Sequence, residues 1–230
     1  MPVKRETRPS YRPEACRVHF AGLKLCTRQY YARRDKRGKH LMPCAQLASM
    51  GQHRVYIWPV SRCWAFVDES KSKKYILVAS LLEVGDLVQS RRSLSRLLIG
   101  GQSRIHFKNE SPSRRRKFLS IASSLPHKNL AVVSHHSKDK IARAQCLEKL
   151  MLHLLDLGVE HVVFEWDESI LQAERKFLTR FLNELNATSR ISFEHRQPRL
   201  EQCLWLPDAV AWCIQRGGEW VQRVVFCEIS

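Results

Sequence analysis

The feature that most constrains this chain is residues 64–70, Trp-Ala-Phe-Val-Asp-Glu-Ser, followed after Lys71-Ser72-Lys73-Lys74 by a second apolar run at residues 75–82. Two β-rich runs joined by a short polar link predict a hairpin, and its first strand carries Asp68 to a sheet edge or end. Three further carboxylates stand where an apolar strand stops or a helix starts: Glu110, Asp167 and Asp208. Four acids from separate segments suggest a metal site.

The rest of the chain fits around that hairpin. Residues 87–99 approximate one helical face through Leu87, Ser90, Leu94, Leu97 and Leu98, and Gly100-Gly101 ends it. Ser111-Pro112 reads as an N-cap with proline at the first helical position, opening a helix that turns Phe118, Ile121, Ala122 and Leu125 inward. Residues 130–133 predict a strand, and residues 140–157 a helix with Gly158 as its C-cap. The run 161–164 is a buried-type strand ending at Glu165-Trp166-Asp167. Ser169 with Gln172 reads as a capping box for the next helix. A fifth strand is expected at 191–195 and a last helix at 208–216. Two early strands followed by alternating helices and strands describe an α/β sheet of mixed direction.

Charge divides the chain. Its formal net charge is +17. Through Cys63 there are 14 Lys or Arg against 3 Asp or Glu, and beyond it 25 against 19. Such a balance suits a partner carrying phosphates, although a solvated cationic tail needs no partner. Residues 1–54 carry prolines, the cluster Arg33-Arg34-Asp35-Lys36-Arg37 and no sustained periodicity, so they are expected to form a flexible basic arm, with residues 55–230 as the folded domain. Tyr11, Tyr30 and Tyr31 interleave with the arginines as base-stacking residues would. An alternative starts the protein at Met50 and makes the preceding segment a translated leader.

No apolar run reaches the roughly 18 residues that span a bilayer, and no apolar stretch follows the basic N-terminus as in a secretory signal. The expectation is a cytoplasmic protein without a membrane partner. Eight cysteines are scattered with no CxxC pair, which reads as reduced thiols. Cys16, Cys26 and Cys44 with His19, His40 and His53 lack zinc-finger spacing.

Phosphodiester hydrolysis needs the phosphate charge neutralised and a water activated, and carboxylate-held Mg²⁺ or Mn²⁺ does both. In that reading Asp68 is the central ligand, Asp167 comes from the partner strand, Asp208 from the terminal helix, and Glu110 is the fourth. Glu69, Glu165 and Glu168 are adjacent alternatives, because neighbouring strand residues face opposite sides. Each acid also has a plainer role: Asp167 before a capped helix, Asp208 and Glu110 as favourable charges in first helical turns. His106 is a possible auxiliary group for proton relay or ligand orientation. Arg114, Arg115 and Arg116, with Arg33, Arg34, Lys36 and Arg37 of the arm, are candidates for nucleic-acid contact. Trp205, Trp212 and Trp220 read as core and lid aromatics.

Val67-Asp68-Glu69-Ser70, Ile105-His106-Phe107-Lys108, Phe164-Glu165-Trp166-Asp167 and Leu206-Pro207-Asp208-Ala209-Val210-Ala211-Trp212 together resemble a widespread bacterial family of unknown function with an expected ribonuclease H fold. The resemblance spans about residues 60 to 220 and leaves the basic arm outside. It implies a ribonuclease-H-like mixed sheet flanked by helices, with Asp68, Glu110, Asp167 and Asp208 matching the acidic set of such nucleases. One departure is that Glu110 falls just before its helix, whereas the second acid of those enzymes lies within it. The leading expectation is a metal-dependent nuclease acting on DNA or RNA. Its alternatives are a non-catalytic nucleic-acid-binding or complex-forming module, and, more weakly, a strand-transfer enzyme of mobile DNA.

Overall fold

The computed structural model describes residues 62–229 with their side chains, together with the backbone of residues 16–20 and 23–26. The expected hairpin forms: β3 (Cys63–Lys71) pairs antiparallel with β4 (Tyr75–Glu83) along its whole length. β4 then pairs antiparallel with β5 (His127–Ser134). The chain next crosses to the other side of β3, where β6 (His161–Glu165) lies parallel to it and β7 (Ser192–Arg196) lies parallel to β6. An antiparallel meander extended by two parallel strands beside its first member, in the order β5-β4-β3-β6-β7, is the topology of a ribonuclease-H-like core.

A strand not foreseen from sequence, β8 (Phe226–Ile229), continues the sheet parallel to β5. Beyond it lie two short antiparallel strands, β1 (Cys16–Phe20) and β2 (Leu23–Cys26), from within the segment expected to be an arm. Arg33, Arg34, Lys36 and Arg37 lie outside the described residues.

Alternation along the hairpin gives the sheet two apolar faces. Phe66, Ile76, Val78 and Leu82 face one core, closed by α1 (Leu87–Ser95), α2 (Pro112–Ser124) and α5 (Trp205–Arg216). Ala65, Val67, Leu77 and Ala79 face the other, closed by α3 (Asp139–Asp156) and α4 (Leu171–Glu184). This parity places Asp68 on the α5 side, with Phe66, and Glu69 on the opposite side, with Val67.

Caps set where the helices begin. Ser111 accepts the amide of Arg114 through Oγ, with Pro112 opening α2 as expected. At α4 the expected capping box does not form. Ile170 holds the cap position, while the Ser169 hydroxyl is donated to Asp167 instead. The last helix begins at Trp205, earlier than Pro207 suggested, because Trp205 and Leu206 are buried and carry the apolar face one turn back. Of the cysteines, Cys63, Cys146, Cys203 and Cys213 are free and buried, whereas Cys227 is disulfide-bonded, a departure from eight reduced thiols. Burial raises the thiol of Cys63 to about 12 and that of Cys146 to about 11, which leaves neither available as a thiolate nucleophile.

Candidate carboxylate site

The last registered pair between β3 and β6 is Val67 with Phe164, so Asp68 and Glu165 follow one step later on adjacent parallel strands. Val163, two residues before Glu165, shares the core of Phe66, two residues before Asp68, so both acids project toward α5. Asp208 enters from the first turn of α5. The chain thus brings three carboxylates to one end of the paired section: Asp68, Glu165 and Asp208.

Their electrostatics follow from that placement. Desolvation, then the charges of Glu165 and Asp208, hold the Asp68 carboxyl well above the usual carboxylate range. Glu165 is raised by desolvation and by the charge of Asp208, and the neighbouring Asp68 side chain offsets part of that rise. The Asp68 oxygen Oδ1 also accepts the Glu69 amide at 2.7 Å. Asp208 Oδ2 accepts the Phe107 amide at 2.8 Å and lies 3.3 Å from His106 Nδ1. That contact raises the pKa of His106.

Two of the four acids expected at the centre stand elsewhere. Glu110 is ion-paired to Arg114 and accepts Gln102 Nε2 at 2.6 Å. Arg114 in turn donates to the Leu97 carbonyl, so this pair joins the end of α1 to the start of α2. Asp167 lies two residues beyond the end of β6, where its Oδ1 accepts both the amide and the hydroxyl of Ser169. Those bonds hold its pKa below the usual range. Glu165 takes the place expected of Asp167, since it is the last strand residue and has the parity of Asp68.

Glu69 faces away from the cluster, as strand alternation requires. It pairs with Arg143 of α3 at 2.6 Å and with Lys71 at 2.9 Å. Arg143 also reaches Glu174 of α4 at 2.7 Å and the Tyr75 hydroxyl at 2.6 Å. Glu174 is bonded to His195 at 3.0 Å, and both side chains are 1% exposed. Nothing in the sequence singled out Arg143. Of the arginines on α2, Arg115 donates to the carbonyls of Phe107 and Lys108 and lies 4.2 Å over Trp212, while Arg116 is exposed at the Trp220 ring. Arg114 and Arg115 thus brace the fold beside the site, and Arg116 presents its charge outward.

The donor set at Asp68, Glu165 and Asp208 is all carboxylate oxygen, the chemistry of Mg²⁺ or Mn²⁺. Among the described residues, no three His, Cys, Asp or Glu are gathered closely enough to form a metal-binding group as they stand. Asp208 is turned toward His106 and Phe107, away from the adjacent pair Asp68 and Glu165. The donors fit the cation in kind, and its charge would offset the repulsion among them.

No protein-family model matches this chain, and no curated protein matches it. The resemblance to the bacterial family of unknown function therefore stands on its motifs alone. Among solved structures, the chain is similar to one in the complex of PCNA with RNase HII from Archaeoglobus fulgidus. The identity is 12%, the TM-score 0.47, and 66% of this chain and 72% of that one are covered. It is also similar to ribonuclease H2 from Pyrococcus horikoshii OT3, at 13% identity and TM-score 0.41, covering 65% and 70% of the two chains. Bst-RNase HIII in complex with Mn²⁺ matches at 11% identity and TM-score 0.40, covering 83% of this chain and 58% of that one. None of these likenesses transfers a residue or an activity. Among the described residues no helix is long and apolar enough to cross a membrane.

Proposed function

We propose that this chain is a divalent-metal-dependent nuclease that hydrolyses phosphodiester bonds of DNA or RNA, with Asp68, Glu165 and Asp208 as its metal ligands. The observation that carries the reading is the placement of two carboxylates, Glu165 of β6 and Asp208 of α5, around a desolvated Asp68 of β3 whose charge they oppose. Holding mutually repelling acids together costs stability, and a divalent cation is the partner that would offset that cost. When bound, Mg²⁺ or Mn²⁺ supplies charge for the phosphate and lowers the pKa of a water. Asp68 would bind as the carboxylate, the Phe107 amide would fix one Asp208 oxygen, and His106 would stand at the rim beside Asp208. The set thus retains Asp68 and Asp208 and takes Glu165 in place of Asp167 and Glu110. Positive charge concentrated before Cys63 supports a phosphate-bearing substrate.

The competing reading, a nucleic-acid-binding or complex-forming module without catalysis, is favoured by one observation: among the described residues no three ligands are gathered in the present geometry. Thermal melting with Mn²⁺ and with chelator separates the two. A nuclease site predicts a rise in Tm with Mn²⁺, reversed by chelator and absent in Asp68→Asn. A binding module predicts no such rise, with salt-sensitive affinity for nucleic acid intact.

A further inference from the structure

The segment Arg104-Ile105-His106-Phe107 lies along the carboxylates with alternating sides. Ile105 and Phe107 are 3% and 0% exposed and anchor it in the core. Arg104 and His106 point the other way, and each meets one acid: Arg104 Nη1 lies 3.3 Å from Glu165 Oε1, and His106 meets Asp208. One short stretch therefore lays an arginine and a histidine across the rim of the site.

We infer that Arg104 is a substrate-positioning residue, paired with Glu165 in the free protein and with a phosphate of the nucleic-acid strand in the complex. This rests on the metal-dependent nuclease reading. The pairing seen here is suited to exchange. Arg104 reaches Glu165 by one nitrogen, and the two side chains are 43% and 27% exposed. By contrast Arg143, with an 11% exposed side chain, has three partners between 2.6 and 2.7 Å. Arg91 grips the fully buried Glu201 through two nitrogens.

The charge logic runs the same way. Three carboxylates repel a polyanion, so a phosphate approaching them needs a cation at the rim. Arg104 is the arginine placed against Glu165, and a guanidinium fork matches phosphate oxygens in geometry as well as charge. Once Glu165 shares its charge with a divalent cation, its hold on Arg104 weakens and the guanidinium is released toward the strand.

The test uses the full chain as wild type, Arg104→Gln and Arg104→Lys. Affinity for labelled oligonucleotides is measured against salt concentration, once with Ca²⁺ as a hard divalent probe and once with chelator, with integrity of the oligonucleotide checked on a gel. In Ca²⁺, Arg104→Gln should weaken binding about tenfold at low salt and flatten the slope of log affinity against log salt by about 0.7 on a single strand or about 0.9 on a duplex. In chelator both slopes should coincide, and Arg104→Lys should recover most of the slope in Ca²⁺. Half-saturating Mn²⁺, read from Tm, should fall in Arg104→Gln, because a competing cation has left Glu165. Equal slopes in Ca²⁺, or an equal deficit with and without the divalent ion, would overturn the assignment of Arg104. Absence of any Mn²⁺-induced Tm rise in wild type would overturn the metal site itself, and that outcome is read without the variants.

Discussion

Asp68 and Glu165 are neighbours on parallel strands, each one step past the Val67–Phe164 pair, and the charge of Glu165 helps hold the Asp68 carboxyl above the usual carboxylate range. Two adjacent acids on one face of a sheet are the core of the proposed site. Asp208 completes the set from a helix that packs on that face.

The geometry separates residues that sequence spacing could not. Asp68→Asn and Glu165→Gln should each reduce metal-dependent cleavage by more than about a hundredfold, since loss of a direct ligand costs more than loss of an outer partner. Asp167→Asn should leave cleavage within a few-fold of wild type, because it lies beyond the strand end with its Oδ1 held by the amide and hydroxyl of Ser169. Initial rates with saturating Mn²⁺ check all three.

Stability should depend on pH with a defined sign. The folded pKa values of Asp68 and Glu165 lie above their unfolded values of about 3.9 and 4.3. The folded state therefore holds protons that the unfolded chain releases, and this contribution is lost as pH rises from about 4 through the raised folded values. In chelator, the Tm difference between Asp68→Asn and wild type should grow in favour of the variant between pH 5 and pH 8. Stabilisation of wild type by Mn²⁺ should grow over the same window, because the cation competes with those protons. Melting curves at fixed ionic strength give both.

On the opposite face, Arg143 is the charge that makes Glu69 and Glu174 tolerable. Arg143→Met takes the guanidinium from both acids, leaving Glu69 with Lys71 and the 1% exposed Glu174 with His195, and should cost about 3 kcal/mol. The expected drop in Tm is about 10 °C or more for a chain of this size. Denaturant unfolding checks it, and a change below about 1 kcal/mol would mean that the pair is solvated.

Glu110→Gln tests the fourth acid. The change removes the ion pair with Arg114 and should cost about 1–3 kcal/mol while leaving the rate with saturating metal near wild type. Loss of cleavage in a stably folded variant would return Glu110 to the catalytic set.

Much of this was legible in the sequence. The hairpin around Asp68 follows from two apolar runs and a polar link, and Asp208 from its place in the first turn of an apolar helix. Glu165 stands among the alternatives to Asp167, and the strand periodicity 161-163-165 fixes its side, whereas Asp167 lies past the strand end where no period applies. Glu110 shows a local ambiguity: an acid four residues before an arginine at a helix start pairs with it as readily as with a metal. β8 was missed because four residues carry too little periodicity, and its partner β5 lies far back in the chain. Arg143 was invisible because only tertiary packing brings α3, α4 and the hairpin tip to the same point.

The most direct measurement is cleavage of labelled single- and double-stranded DNA and RNA with Mg²⁺, Mn²⁺ or chelator, comparing wild type with Glu165→Gln and Asp167→Asn. The account predicts cutting that requires the divalent ion, is lost in Glu165→Gln and persists in Asp167→Asn. Metal-dependent cutting that survives Glu165→Gln, or no cutting of any substrate by folded wild-type protein, would contradict it.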